Sequence, residues 1–203
     1  MSNAKTISGT PPSDYKEALY WKIGDKTGRI VVMNLLSVPL GFVFGIMFFI
    51  FALEFGKPPE LISIDSTQPA IFLVGILLVV VAHELAHGVA MRIFGAQPKY
   101  GAIWKRLMFY ATAPGYAFSR NQYLVISLAP LVSLSILACL GILMQAGTSN
   151  VWLWAIWATI NGSAAIGDLW LTAVALRYPE HAYIIDEQDG IRVFLPQGED
   201  SIK

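Results

Sequence analysis

The stretch that most restricts what this chain can become is an apolar run, Ala70 to Ala82, that ends directly in His83-Glu84-Leu85-Ala86-His87. An ionisable side chain in hydrocarbon is costly unless it faces a polar interior or a metal. On a helix, residues four apart share one face. His83 and His87 can therefore aim two imidazoles at a single ion, with Glu84 beside them. The same H-E-x-x-H spacing arises by accident in soluble helices, where the histidines are merely solvated or capped. Its position at the end of thirteen apolar residues argues against an accident here.

The rest of the chain agrees with that setting. At 203 residues, 55% hydrophobic and only 14% charged, with a mean hydropathy of +0.56, it is too apolar for a soluble domain of its length. An integral membrane protein is expected, with the lipid bilayer as a partner. The formal net charge is zero, which gives no indication of a nucleic-acid partner. Cys139 is the single cysteine and can form no internal disulfide. Residues 1–29 mix charges of both signs and do not read as a signal peptide.

Taken in order, the residues predict an all-α membrane protein with four transmembrane helices, a β-hairpin or ribbon after the second and a small C-terminal hairpin. Residues 1–29 read as a cytoplasmic N-terminal tail, with a short surface helix around Asp14 to Trp21. Residues 30–178 form the four-span domain. Its spans are Ile30 to Leu53, about Ala70 to Phe94, Tyr123 to Met144 and about Val151 to Leu176, each long enough for a hydrocarbon core of about 30 Å. A polar loop, Glu54 to Pro69, joins the first two. Between the second and third, Lys105-Arg106 and Pro114-Gly115 interrupt the apolar pattern. Tyr100 to Phe118 is either a hairpin or ribbon or a surface loop with aromatic anchors. Ser119-Arg120-Asn121-Gln122 is a capping box for span three, which Pro130 should kink. Trp152, Trp154 and Trp157 open span four as an interfacial belt. Residues 179–203 form a cytoplasmic hairpin and tail, with strands at Tyr183 to Ile185 and Ile191 to Leu195 turning at Asp189-Gly190. Of fourteen Lys and Arg, only Lys57 falls outside the segments assigned to the cytoplasm. The positive-inside rule thus places both termini inside the bacterial cytoplasmic membrane, N-in and C-in.

Acidic residues locate the chemistry. Between Ser66 and Pro179 there are only two, Glu84 and Asp168, and both lie within expected spans. Counted at 1.5 Å per residue from the outer boundary, His83 lies roughly 20 Å deep, His87 and Asp168 roughly 26 Å, and Asn161 roughly 15 Å. Asp168 is accordingly expected to be the third metal ligand; the alternative is a kinked helix in which it bonds its own backbone. Asn161, seven residues earlier, lies on nearly the same helix face. A metzincin site is excluded, because its third histidine would stand at Ile93. His181 lies beyond span four and reads as a surface residue.

An intramembrane H-E-x-x-H at His83, Glu84 and His87, followed by Asn161 and Asp168 on one later helix, resembles the site-2 protease class of intramembrane zinc metalloproteases. The layout around it is similar to a bacterial family of uncharacterised membrane domains described as "putative zincin peptidases": four spans, a ribbon after the motif helix, Leu128-Ala129-Pro130 in span three and a C-terminal hairpin. That resemblance covers roughly residues 65–195. It implies a Zn2+ cofactor and hydrolysis of peptide bonds in transmembrane or membrane-associated substrates. Glu84 would be the general base acting on a metal-activated water. Site-2 proteases usually carry a proline-rich Asn segment ending in Leu-Asp-Gly, whereas this chain reads Asn161-Gly162-Ser163-Ala164-Ala165-Ile166-Gly167-Asp168. The Asp carries over directly; Asn161, as a group holding substrate or oxyanion, departs from the pattern. Two other classes share the ligands: a non-catalytic zinc-binding scaffold or chaperone, and a metal transporter. Neither needs a base flanking the ligands. Substrate identity and oligomeric state have no sequence signal.

Overall fold

The structure, a computed structural model, describes residues 9–22, 27–57, 67–104, 108–188 and 190–199. Most of the loop expected between the first two spans, Lys105-Arg106, Asp189 of the expected hairpin turn, and Lys5, Lys26 and Lys203 of the orientation argument lie outside the described residues. In chain order the elements are β1 (Tyr15–Lys22), α1 (Thr27–Phe55), α2 (Thr67–Ile93), β2 (Lys99–Ile103), β3 (Met108–Thr112), β4 (Ala117–Ser119), α3 (Arg120–Met144), α4 (Val151–Ala164), α5 (Ile166–Ala175), β5 (Tyr183–Glu187) and β6 (Gly190–Pro196). They divide into two compact units.

One unit comprises Val31–Ala86 and Pro130–Gly167, and its regular elements among the described residues are helices. Phe48 and Ala52 of α1 pack with Ala138 and Ile142 of α3 and with Val151, Ala155 and Ala158 of α4. Trp154 lies against Gly141 and Trp157 against Gly75, where any Cβ would collide with the indole. Trp152 donates its indole N–H to the Lys57 carbonyl at 2.9 Å. Trp154 and Trp157, expected as part of an interfacial belt, pack against these glycines of neighbouring helices. Leu35, Phe42, Val43, Ile50, Leu73 and Leu77 are exposed, an apolar surface suited to lipid rather than water.

Among the described residues three helices, α1, α2 from Pro69 and α3, are long and apolar enough to cross a membrane. The fourth expected span is divided. α4 has 14 residues and α5 has 10, and Ala165 between them leaves helical geometry at φ −67°, ψ 3°. Gly162, Ser163 and Gly167 crowd poor helix formers around that break. Neither piece reaches about 30 Å at 1.5 Å per residue. The structure thus shows three long apolar helices and, where the fourth span is expected, two shorter helices in succession, with Asn161 and Asp168 on different ones.

The other unit comprises Met1–Ile30, His87–Ala129 and Asp168–Lys203. It corrects the all-α assignment, because it holds a four-stranded sheet in the order β1-β6-β5-β4 and the separate hairpin β2-β3. The expected C-terminal hairpin is present as β5 and β6, which form the middle of that sheet. The expected surface helix at Asp14 to Trp21 is instead β1. It pairs antiparallel with β6, Tyr20 opposite Arg192 and Trp21 opposite Ile191. Its partner is about 170 residues away in sequence, so no local pattern announces the strand. Ile191, Val193 and Leu195 turn inward from β6 onto Ala90 and Met91 of α2, Tyr123 and Ile126 of α3 and Val174 of α5. The capping box forms as expected: the Ser119 N–H donates to Gln122 Oε1 at 3.0 Å, and the Gln122 N–H to Ser119 Oγ at 3.4 Å.

Candidate metal centre

His83 and His87 stand one turn apart on α2, His83 half-buried and His87 buried. Asp168 lies in the first turn of α5, where the helix dipole favours a carboxylate. The structure brings these three residues together: one ligand atom from each lies within 4.8 Å of the others.

Each imidazole is held by its other nitrogen. His83 Nδ1–H donates to Asn161 Oδ1 at 3.0 Å, and the Asn161 Nδ2–H donates to the Pro130 carbonyl at 3.4 Å. His87 Nδ1–H donates to the Ile126 carbonyl at 2.9 Å. Both acceptors are oxygens that cannot donate, so each ring carries a proton on Nδ1, and in the neutral form the lone pair is on Nε2. That is the tautomer a metal-binding histidine needs, with the distal N–H anchored in a neighbouring acceptor.

His87 Nε2 then faces Asp168 Oδ1 at 3.2 Å. A neutral imidazole lone pair and a carboxylate oxygen are both acceptors and repel at that distance unless a proton or a metal cation lies between them. Zinc bonds to N and O of about 2.0–2.2 Å at tetrahedral angles separate ligand atoms by about 3.3–3.6 Å. Two imidazoles and a carboxylate fit zinc by donor type, and the 3.2 Å between His87 and Asp168 is close to that spacing. The Asp168 backbone is fixed as well. Ser127 Oγ–H donates to its carbonyl at 2.9 Å, and Thr172 Oγ1–H donates to Ser127 Oγ at 3.0 Å.

The family model described as "Putative zincin peptidase" matches residues 76–183, more than half of the chain. The chain belongs to that family. No curated protein and no solved structure matches the chain. Membership implies a zinc peptidase, and the matched stretch contains the whole His83, His87 and Asp168 group.

In this zincin-peptidase family member Glu84 follows His83 on α2, half-buried. Asn161 is 1% exposed and uses both ends of its amide internally. His181 is exposed, pairs with Glu199 at 2.8 Å and is not part of the His83, His87 and Asp168 group. β2 reaches the motif helix directly: a Cβ at Gly88 would run into the Tyr100 hydroxyl. Glycine after His87 leaves the space that the end of the Tyr100 side chain fills.

Asp186 of β5 was not among the sequence candidates. It is 8% exposed, accepts a hydrogen bond from the Tyr123 hydroxyl at 3.5 Å, and its carbonyl accepts one from Thr112 Oγ1 at 2.9 Å. Burial pushes its carboxyl up from 3.8 to about 7; the His87 charge and the Thr112 hydrogen bond pull the other way, and the Asp168 charge adds to the rise. Its local sequence, Tyr183-Ile184-Ile185-Asp186-Glu187, is that of an ordinary strand end. The Ile126 carbonyl is equally silent in sequence, since every residue has one.

Proposed function

We propose that this protein is an intramembrane zinc metallopeptidase that hydrolyses peptide bonds of transmembrane or membrane-associated substrates. The observation that carries the reading is that His87 Nε2 faces Asp168 Oδ1 at 3.2 Å, one helical turn from His83, a spacing suited to two ligands of one cation. In this reading His83, His87 and Asp168 hold the ion. Zinc bound there would supply a Lewis acid that polarises a peptide carbonyl and makes a water easier to deprotonate.

The chain's own residues do the remaining work. Glu84 accepts a proton from the attacking water as its oxygen bonds to the carbonyl carbon. It returns that proton to the amine nitrogen as the C–N bond breaks. A nearby base of this kind separates hydrolysis from zinc storage or transport, neither of which has use for one. Asn161 keeps His83 in the ligating tautomer; the hydrogen bonds at both ends of its amide support positioning rather than contact with substrate.

A peptide has to be extended to offer its carbonyl. The β2-β3 hairpin, with Tyr100 against Gly88, supports delivery of the substrate as an added strand. The positive-inside pattern supports a bacterial cytoplasmic membrane with both termini inside.

The test uses purified protein in detergent. Glu84→Gln should abolish hydrolysis of a membrane-peptide substrate while zinc, measured by elemental analysis, stays near the wild-type level. His83→Ala should lose both. A wild type without zinc, or a fully active Gln variant, refutes the proposal. Comparing membrane proteomes of cells carrying wild type or Glu84→Gln identifies the substrates.

A further inference from the structure

The hydrogen bond from His87 Nδ1 to the Ile126 carbonyl raises a question of supply. In an α-helix the carbonyl of residue 126 is normally taken by the N–H of residue 130. Residue 130 is proline, inside α3, and has no N–H to give. Ile126 is 1% exposed, and a buried carbonyl without a donor is unfavourable. His87 supplies the donor from another helix.

We propose that Pro130 is a positioning residue for the metal centre. By withholding the helical N–H it leaves the Ile126 carbonyl as the acceptor that fixes His87 in its Nδ1–H tautomer and turns the Nε2 lone pair toward Asp168. The adjacent residue completes the brace, because the Ser127 hydroxyl bonds the Asp168 carbonyl at 2.9 Å. One turn of α3 thus holds both the imidazole and the backbone of the carboxylate that face each other at 3.2 Å. The role assigned to Pro130 rests on the zinc reading only for its consequence; the tautomer of His87 can be measured without metal.

The experiment is Pro130→Ala, with Pro39→Ala in α1 as the control. Residue 130 regains an N–H that competes for the Ile126 carbonyl. Zinc affinity, measured by competition with a fluorescent chelator, should fall about ten- to a hundredfold, the usual cost of losing a partner behind a metal ligand. Pro39→Ala should leave it unchanged. In zinc-free, ¹⁵N-histidine-labelled protein at a pH where His87 is neutral, NMR should show His87 protonated on Nδ1 in the wild type. In Pro130→Ala that preference should be weakened. Wild-type affinity in Pro130→Ala overturns the proposal. So does a wild-type His87 protonated on Nε2, a measurement that stands even if the Ala variant does not fold. If the wild type binds no zinc while His87 keeps its Nδ1 proton, the zinc reading fails and the role of Pro130 in fixing the ring survives.

Discussion

Asn161→Leu separates a residue that holds a ligand from one that touches substrate. Leucine is close to asparagine in size, so at a site 1% exposed the change removes hydrogen bonds more than packing. Two are lost: the 3.0 Å bond from His83 and the longer 3.4 Å bond to the Pro130 carbonyl. Leaving a buried polar group unpaired costs about 1–3 kcal/mol. With the second bond already long, the variant should lose about 2–4 kcal/mol of stability in all. The effect on metal is separate. Without the Asn161 oxygen the His83 Nδ1–H loses its 3.0 Å acceptor, and zinc affinity should drop about ten- to a hundredfold, or about 1.4–2.7 kcal/mol. Chelator competition on purified protein measures this, and peptide hydrolysis at saturating zinc gives the complementary number. Asn161→Asp keeps an acceptor and should recover most of the zinc affinity. If the Leu variant binds zinc within threefold of wild type while its turnover collapses, Asn161 acts on the substrate and the positioning argument is wrong.

The remaining predictions address the ligand, the buried acid and the hairpin. Asp168→Asn removes the anionic ligand. If one of three ligands carries a third of a binding free energy on the order of 10 kcal/mol, zinc affinity falls more than a hundredfold and hydrolysis falls with it; normal zinc content in the Asn variant would exclude Asp168 from the site. Asp186 ionises near 3.8 when unfolded and near 7 when folded, so between those values the native state holds the extra proton and stability falls as pH rises, by up to about 1.4 kcal/mol per unit. Metal-free Asp186→Asn should therefore melt higher than wild type at pH 8 and together with it near pH 4; equal melting at pH 8 contradicts the buried-acid account. Proline placed singly at 109, 110 and 111 of β3 should impair cleavage at alternate positions, where an N–H facing the outer edge is lost, and leave zinc bound. No effect at any of the three would remove the strand-addition model.

Local rules settled much of this protein in advance. The helical spacing of His83 and His87, the long apolar runs and the reciprocal Ser119 and Gln122 cap all depend on residues within a turn or two of each other. The same physics that makes them stable makes them readable. Asp168 could be singled out because apolar surroundings make an acid rare. What tertiary structure alone decided depends on partners far along the chain. β1 looked helical by itself and is a strand because β6 lies beside it. The expected fourth span passes every test of apolar length and still breaks at Ala165, because hydropathy sums a window and cannot see where a helix stops. Most of all, the groups that hold the two imidazoles are a carbonyl on α3, 39 residues from His87, and an amide on α4, 78 residues from His83. A backbone carbonyl carries no letter in the sequence, the letter of Asn161 does not name its partner, and only packing brings the two acceptors to 2.9 and 3.0 Å from an imidazole.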